Sequence, residues 1–163
     1  MGIRETINKN LHEIGIRYGM RLPSLNKNNV CTMRYKDKFT FIIEAPDTGT
    51  QVYFYSPLIE KTDENNEQLQ KKLLEQNFLF DSVTGAALSL DEQTGDVVFC
   101  QVYAEKDLSA DKLEQHIENF LSEAEKNRET LLNWMQFSEA QKPVGRGAAL
   151  DKPKLGPMMP WTA

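Results

Sequence analysis

Apolar positions near the start of the chain return at helical spacing. Ile3, Ile7, Leu11, Ile14 and Tyr18 step by four, four, three and four, which traces one stripe of an amphipathic helix. Gly19 and Pro23 then close it. From Val30 the period shortens to two. Segments 30–35, 39–44 and 51–56 read as strands: Phe39, Phe41 and Ile43 share one face of the second, and Val52 and Phe54 alternate with Tyr53 and Tyr55 in the third. Lys36-Asp37 and Pro46-Asp47-Thr48-Gly49 are turn signals between them, so the three strands form an antiparallel meander. A second helix follows, capped by Thr62 or Asp63, with Leu69, Leu73, Leu74 and Phe78 as its apolar positions. It is expected to fray near Asn77. Segments 86–90 and 96–104 read as two more strands around the turn at 91–95. Ser109 then suits an N-cap with Asp111 in the first turn. The last helix is long, its stripe running through Leu113, Ile117, Phe120, Leu121, Ala124, Leu131, Trp134 and Met135, with Arg128 filling one slot.

The order is α-β-β-β-α-β-β-α. It predicts an α+β protein with a twisted, mostly antiparallel five-stranded sheet and three helices. Three helices shield one sheet face well and the other poorly, yet the second, third and fifth strands carry apolar residues on both faces. A partner chain is the economical cover for that surplus. The domain is expected over 1–140. Residues 141–163 change composition to Pro, Gly, Lys and Met, and read as a flexible basic tail.

Charge sharpens this division. The 163 residues carry a net charge of −5. Lys142, Arg146, Lys152 and Lys154 against Asp151 give the tail +3, which leaves −8 on the first 140 residues. An acidic body argues against nucleic acid and against anionic membrane surfaces, both of which select clustered Lys and Arg. No apolar run approaches the roughly 20 residues of a membrane span, and the first residues lack the apolar segment of a signal peptide. Cys31 and Cys100 sit in separate apolar strands and read as buried small hydrophobes in a reducing compartment. A cytoplasmic location is the expectation.

The chain offers little chemistry. It has neither GxGxxG nor GxxxxGK[ST]. His12 and His116 have no second ligand or base partner at helical spacing and read as packing residues. Asp47-Thr48-Gly49 matches the tripeptide of aspartic proteases, but it is explained as a turn, and that chemistry needs two carboxylates sharing a proton. Asp63-Glu64, with Glu60 and Glu67 nearby, lacks the spacing and glycine of a calcium loop. No enzyme, cofactor or metal site is expected.

Several phrases carry a family resemblance: the stripe Ile7, Leu11, Ile14; Val30-Cys31-Thr32-Met33 followed by Phe39-Thr40-Phe41-Ile42-Ile43-Glu44; Val52-Tyr53-Phe54-Tyr55-Ser56-Pro57-Leu58; Leu73-Leu74-Glu75-Gln76-Asn77; Gly85-Ala86-Ala87-Leu88-Ser89-Leu90-Asp91; and a last helix ending Leu131-Leu132-Asn133-Trp134. Over roughly 3–136 the chain resembles the class I type III secretion chaperones, the Tir chaperone family. The resemblance implies a bacterial cytoplasmic homodimer. That dimer would bind the N-terminal segment of one or more secreted effectors in extended form, keep them soluble and secretion-competent, and release them at a secretion-associated ATPase. Ile7, Leu11, Ile14, Val30, Met33, Phe39 and Phe41 are the candidates for cargo contact. Leu69, Leu73, Leu74 and Phe78 are the candidates for the dimer interface. Two rival readings stay open: a small-molecule-binding or enzymatic α+β domain, and an adaptor working through its tail.

Overall fold

Helix α1 (Ile3–Arg17) forms where the four-residue stripe predicts, and it buries Ile3, Ile7, Leu11 and Ile14 in one core. The computed structural model describes residues 2–46, 49–60, 62, 66–79 and 85–140. After α1 come strands β1 (Val30–Tyr35), β2 (Phe39–Glu44) and β3 (Gln51–Ile59), helix α2 (Glu67–Leu79), strands β4 (Ala86–Leu90) and β5 (Val97–Ala104), and the long helix α3 (Ala110–Ala140). The strands make one antiparallel sheet in the order β1-β2-β3-β5-β4. This is the expected α+β arrangement. The crossover that seats β5 between β3 and β4 is a tertiary choice that strand patterns alone do not encode.

Alternation sorts the sheet into two unequal faces. Phe39, Phe41 and Ile43 of β2, Val52 and Phe54 of β3, and Val97 and Phe99 of β5 are buried with the helices. Phe120 of α3 stands at the centre. Its ring centroid lies 5.1 Å from Phe41, 5.8 Å from Phe54 and 5.1 Å from Phe99. On the opposite face Ile42, Tyr53, Tyr55, Pro57, Val98 and Cys100 remain half-exposed or exposed. The helices thus shield one face, and the other stands open.

Several boundaries differ from expectation. Helix α2 is capped by Asn66, whose Oδ1 accepts from the Leu69 N–H at 3.1 Å; the Thr62 hydroxyl instead donates to the Gly95 carbonyl at 2.6 Å. Strand β3 runs through Pro57 to Ile59, with a register irregularity against β5 absorbing the proline. Arg128 of α3 is half-buried with its Nε enclosed, and beside it Asn127, not expected inward, is buried and donates to the Glu123 carbonyl at 2.8 Å. Asp47 and Thr48 of the turn tripeptide, Asp63-Glu64, and the tail 141–163 lie outside the described residues.

Helix α2 does not fray at Asn77; that side chain is occupied. Its Nδ2 donates to the Leu88 carbonyl at 2.8 Å, and its Oδ1 accepts from the Leu88 N–H at 2.7 Å. One side chain thereby completes a backbone pair on the outer edge of β4, as a sixth strand would. Replacing it (Asn77→Ala) removes both partners from a partly buried N–H and C=O. The expected loss is about 2 kcal/mol of stability, since orphaned backbone groups cost on the order of 1–3 kcal/mol each. Urea unfolding measures it, and hydrogen exchange at the Leu88 amide should accelerate in parallel.

Candidate functional site

The end of α1 sets the site. Gly19, at φ 63°, donates to the Ile16 carbonyl at 3.1 Å, and Met20 donates to the Gly15 carbonyl at 2.9 Å. This pairing closes a helix with a left-handed residue that glycine adopts without strain. Gly15 is itself buried, and a Cβ there would stand 2.6 Å from the Met20 carbonyl oxygen. Glycine at both positions lets the chain fold back over the helix end and brings Tyr18, Met20 and Leu22 beside α3.

The result is an apolar groove of about 470 Å³ between α1, the β1–β2 hairpin and α3. Ile14, Leu22, Met33, Phe41, Ile117 and Leu121 supply its apolar lining, and Glu114 and Glu118 stand on its α3 side. Tyr18 and Met20 stay 56% and 57% exposed at the rim. One end is pinned by Arg17, which pairs at 2.7 Å with each of Glu13, Asp111 and Glu114. The Tyr18 hydroxyl also donates to Glu114. These bonds, Glu13 first, raise the Arg17 pKa and fix its positive charge between the two helices. Across the groove, Lys36 and Lys38 at the hairpin tip both pair with Glu125 of α3. Beside the groove runs β1, an outermost strand of the sheet.

The cargo-contact candidates divide. Ile14, Met33 and Phe41 line the groove, Met33 half-exposed and Ile14 and Phe41 as its buried floor. Ile7, Leu11 and Phe39 are buried in the core. Val30 alternates with Met33 along β1 and takes the other face of the sheet. The dimer candidates divide as cleanly. Leu69 and Leu73 are buried beneath α2, whereas Leu74 and Phe78, one turn apart, are 71% and 88% exposed. Met20, Leu22, Ile117 and Leu121 were not singled out as contact residues. The two apolar residues between Gly19 and Pro23 were the signal available for the first pair.

Of the other concavities among the described residues, two bear on possible chemistry. One, of about 660 Å³, lies on the open sheet face along Ile42, Tyr53, Tyr55, Pro57 and Val98. There burial raises the Tyr55 phenol to about 12, with the adjacent Glu44 carboxylate, 3.1 Å from its hydroxyl, adding to the rise. The other, of about 670 Å³, is a polar cleft between β5 and α3. His116 stacks there on Tyr103 at 4.1 Å between centroids, and burial lowers its pKa. Its buried Nε2 has no hydrogen-bond partner, while a hydrogen bond with the Asp107 backbone partly opposes that lowering. Among the described residues no group of three or more His, Cys, Asp and Glu could hold a metal ion. None of their helices is long and apolar enough to cross a membrane.

Comparison with solved structures finds the same fold in chains of several protein–protein complexes. A chain of the ExsC–ExsE complex superposes with a TM-score of 0.68 at 18% identity, covering 79% of this chain and 96% of that one. A chain of the HopA1–SchA chaperone–effector complex gives 0.60 at 18% identity, covering 78% and 94%. A chain of the Yersinia pestis secretion chaperone SycH in complex with a stable fragment of YscM2 gives 0.54 at 15% identity, covering 74% and 98%. Comparison with curated proteins finds no significant match. The profile of the Tir chaperone protein (CesT) family matches residues 9–128, spanning α1 to α3 with both walls of the groove, and the chain belongs to that family.

Proposed function

We propose that this protein is a type III secretion chaperone that binds the N-terminal segment of one or more secreted effectors in extended form. The single observation that carries this reading is the apolar groove lying beside the outer edge of β1. An extended guest gains main-chain hydrogen bonds by adding to a sheet edge, while alternate side chains enter apolar pockets. Ordering such a segment costs on the order of 2–5 kcal/mol, so apolar burial must offset it. Ile14, Leu22, Met33, Phe41, Ile117 and Leu121 offer that burial in one place. The similar HopA1–SchA structure is itself a chaperone–effector complex, which supports the same use here.

The working form in this reading is a bacterial cytoplasmic homodimer built from residues 1–140. It joins through the outer face of α2 and the neighbouring open sheet face, and it hands its guest to a secretion-associated ATPase without catalysing a reaction. The groove is tested by co-expressing the chain with the N-terminal segment of a secreted protein encoded beside it. A soluble complex of two chaperones and one guest is the expected result. Met20→Glu and Met33→Glu should each weaken it about 30-fold, the scale of losing a contact worth 2 kcal/mol. Met20 is exposed, so its substitution leaves the fold intact, as circular dichroism should verify. Guest affinity unchanged in both variants would remove the groove from the mechanism.

A further inference from the structure

A groove without a guest exposes apolar surface to water, and the chain carries a segment suited to cover it. The family match ends at residue 128, so it does not account for the stretch after α3. It contains Leu155-Gly156-Pro157-Met158-Met159-Pro160-Trp161, directly preceded by the cations Lys152 and Lys154. Met is an unbranched, polarizable side chain that fills irregular apolar space, and Trp is the residue most often found anchoring an interface. Pro157 and Pro160 hold their φ angles near the extended range, and each biases the residue before it toward extended backbone. Part of the ordering cost of lying in a groove is therefore already met by the sequence.

Charge and reach agree with this. The tail carries +3 and the first 140 residues −8, and Glu114 and Glu118 stand at the groove. From Leu121 to Ala140 helix α3 runs about 29 Å at 1.5 Å per residue. The 18 residues from Ala140 to Met158 extend to about 60 Å at most, with a root-mean-square span of about 23 Å as a flexible chain. A return to the groove lies within reach, and such a tether presents the segment at an effective concentration on the order of millimolar.

We propose that residues 155–161 dock in cis into the groove formed by α1, the β1–β2 hairpin and α3, as an internal stand-in that an incoming guest displaces. The displacement rests on the guest-binding reading above; the docking does not. The first test uses the full chain labelled at methionine methyls. The Met158 and Met159 methyls should show cross-relaxation to Ile117 and Leu121. The Met20 and Met33 signals should move when Met158, Met159 and Trp161 are all replaced by serine. Unmoved signals with no cross-relaxation overturn the proposal, and so does cross-relaxation found only between differently labelled copies.

The second test adds a synthetic peptide of residues 152–163 in trans. It should bind the triple variant about tenfold more tightly than the native chain, because an occupied site lowers apparent affinity by the fraction that is free. Equal affinity for the two chains overturns the proposal. An effector segment that binds neither chain, while cross-relaxation to the tail persists, upholds the docking and refutes the guest reading alone. A segment that binds both chains equally, with no tail contact, does the reverse.

Discussion

Phe120→Ala is expected to lower the stability of this protein by about 4 kcal/mol, the scale of removing a fully buried aromatic ring and leaving a cavity. Phe120 is completely enclosed and is the one helical ring among three sheet rings: Phe41 from β2, Phe54 from β3 and Phe99 from β5. The lost ring is therefore shared by three strands, and no single neighbour can move in to fill the space without opening another gap. A domain of this size has on the order of 5–15 kcal/mol of stability in total, so the variant should sit close to the edge of folding. Urea unfolding of variant and native chain measures the difference. A loss below about 1 kcal/mol would mean that α3 contributes far less to the core than its packing indicates.

The second large effect is expected at α2. Leu74 and Phe78 project from the side opposite the buried Leu69 and Leu73, so their replacement removes almost no contact within one protomer. The double variant Leu74→Asp, Phe78→Asp should therefore unfold at about the same urea concentration as a lone protomer. The proposed dimer, in contrast, should dissociate at least about 100-fold more readily in this variant. Two desolvated apolar anchors on each of two copies account for several kcal/mol of association. Sedimentation velocity across a concentration series reads the outcome. A variant that remains as dimeric as the native chain would assign the contact to another surface, with the open sheet face around Tyr53, Tyr55 and Pro57 first in line.

Much of this architecture is written in residue spacing. The four-residue stripe of α1 and the alternation of Phe39, Phe41 and Ile43 are local signals, because a buried helix face and a buried sheet face select apolar residues at fixed periods. The interior of α3 followed the same logic except at Asn127, a buried polar residue satisfied by its own helix that hydrophobicity could not identify. The cap of α2 was misplaced because Thr62, Asp63 and Asn66 are all competent N-caps; only the completed fold shows that Thr62 is engaged by Gly95. Asn77 looked like a helix terminator because its propensity is low. Its bonds to Leu88 are tertiary and invisible to local preference.

The groove was half legible. Ile14, Met33 and Phe41 came from the family pattern and do line it, the first and last from its buried floor, but Ile7, Leu11 and Phe39 follow the same apolar pattern and lie away from it in the core. Periodicity reports that a residue is apolar and which face it occupies, not whether its neighbours leave space above it. The far wall depends on the reversal after α1, which Gly15 makes possible through a close approach rather than a turn signature. Met20 and Leu22 carry no period at all, and their role emerges only once that reversal is formed.

The bond pair between Asn77 and Leu88 also has a consequence for how far assembly can proceed. A β-sheet with two bare margins can keep recruiting strands from other molecules, which is a route to fibres. Here one margin is plugged at its middle by a side chain from the same subunit, so recruitment is left to the β1 margin. An extended polypeptide added there faces, across the sheet, a margin whose central backbone pair is already taken. The subunit is in that sense closer to a terminus than to a link, a margin blocked at its centre working against a polymer of itself while the proposed guest occupies the other.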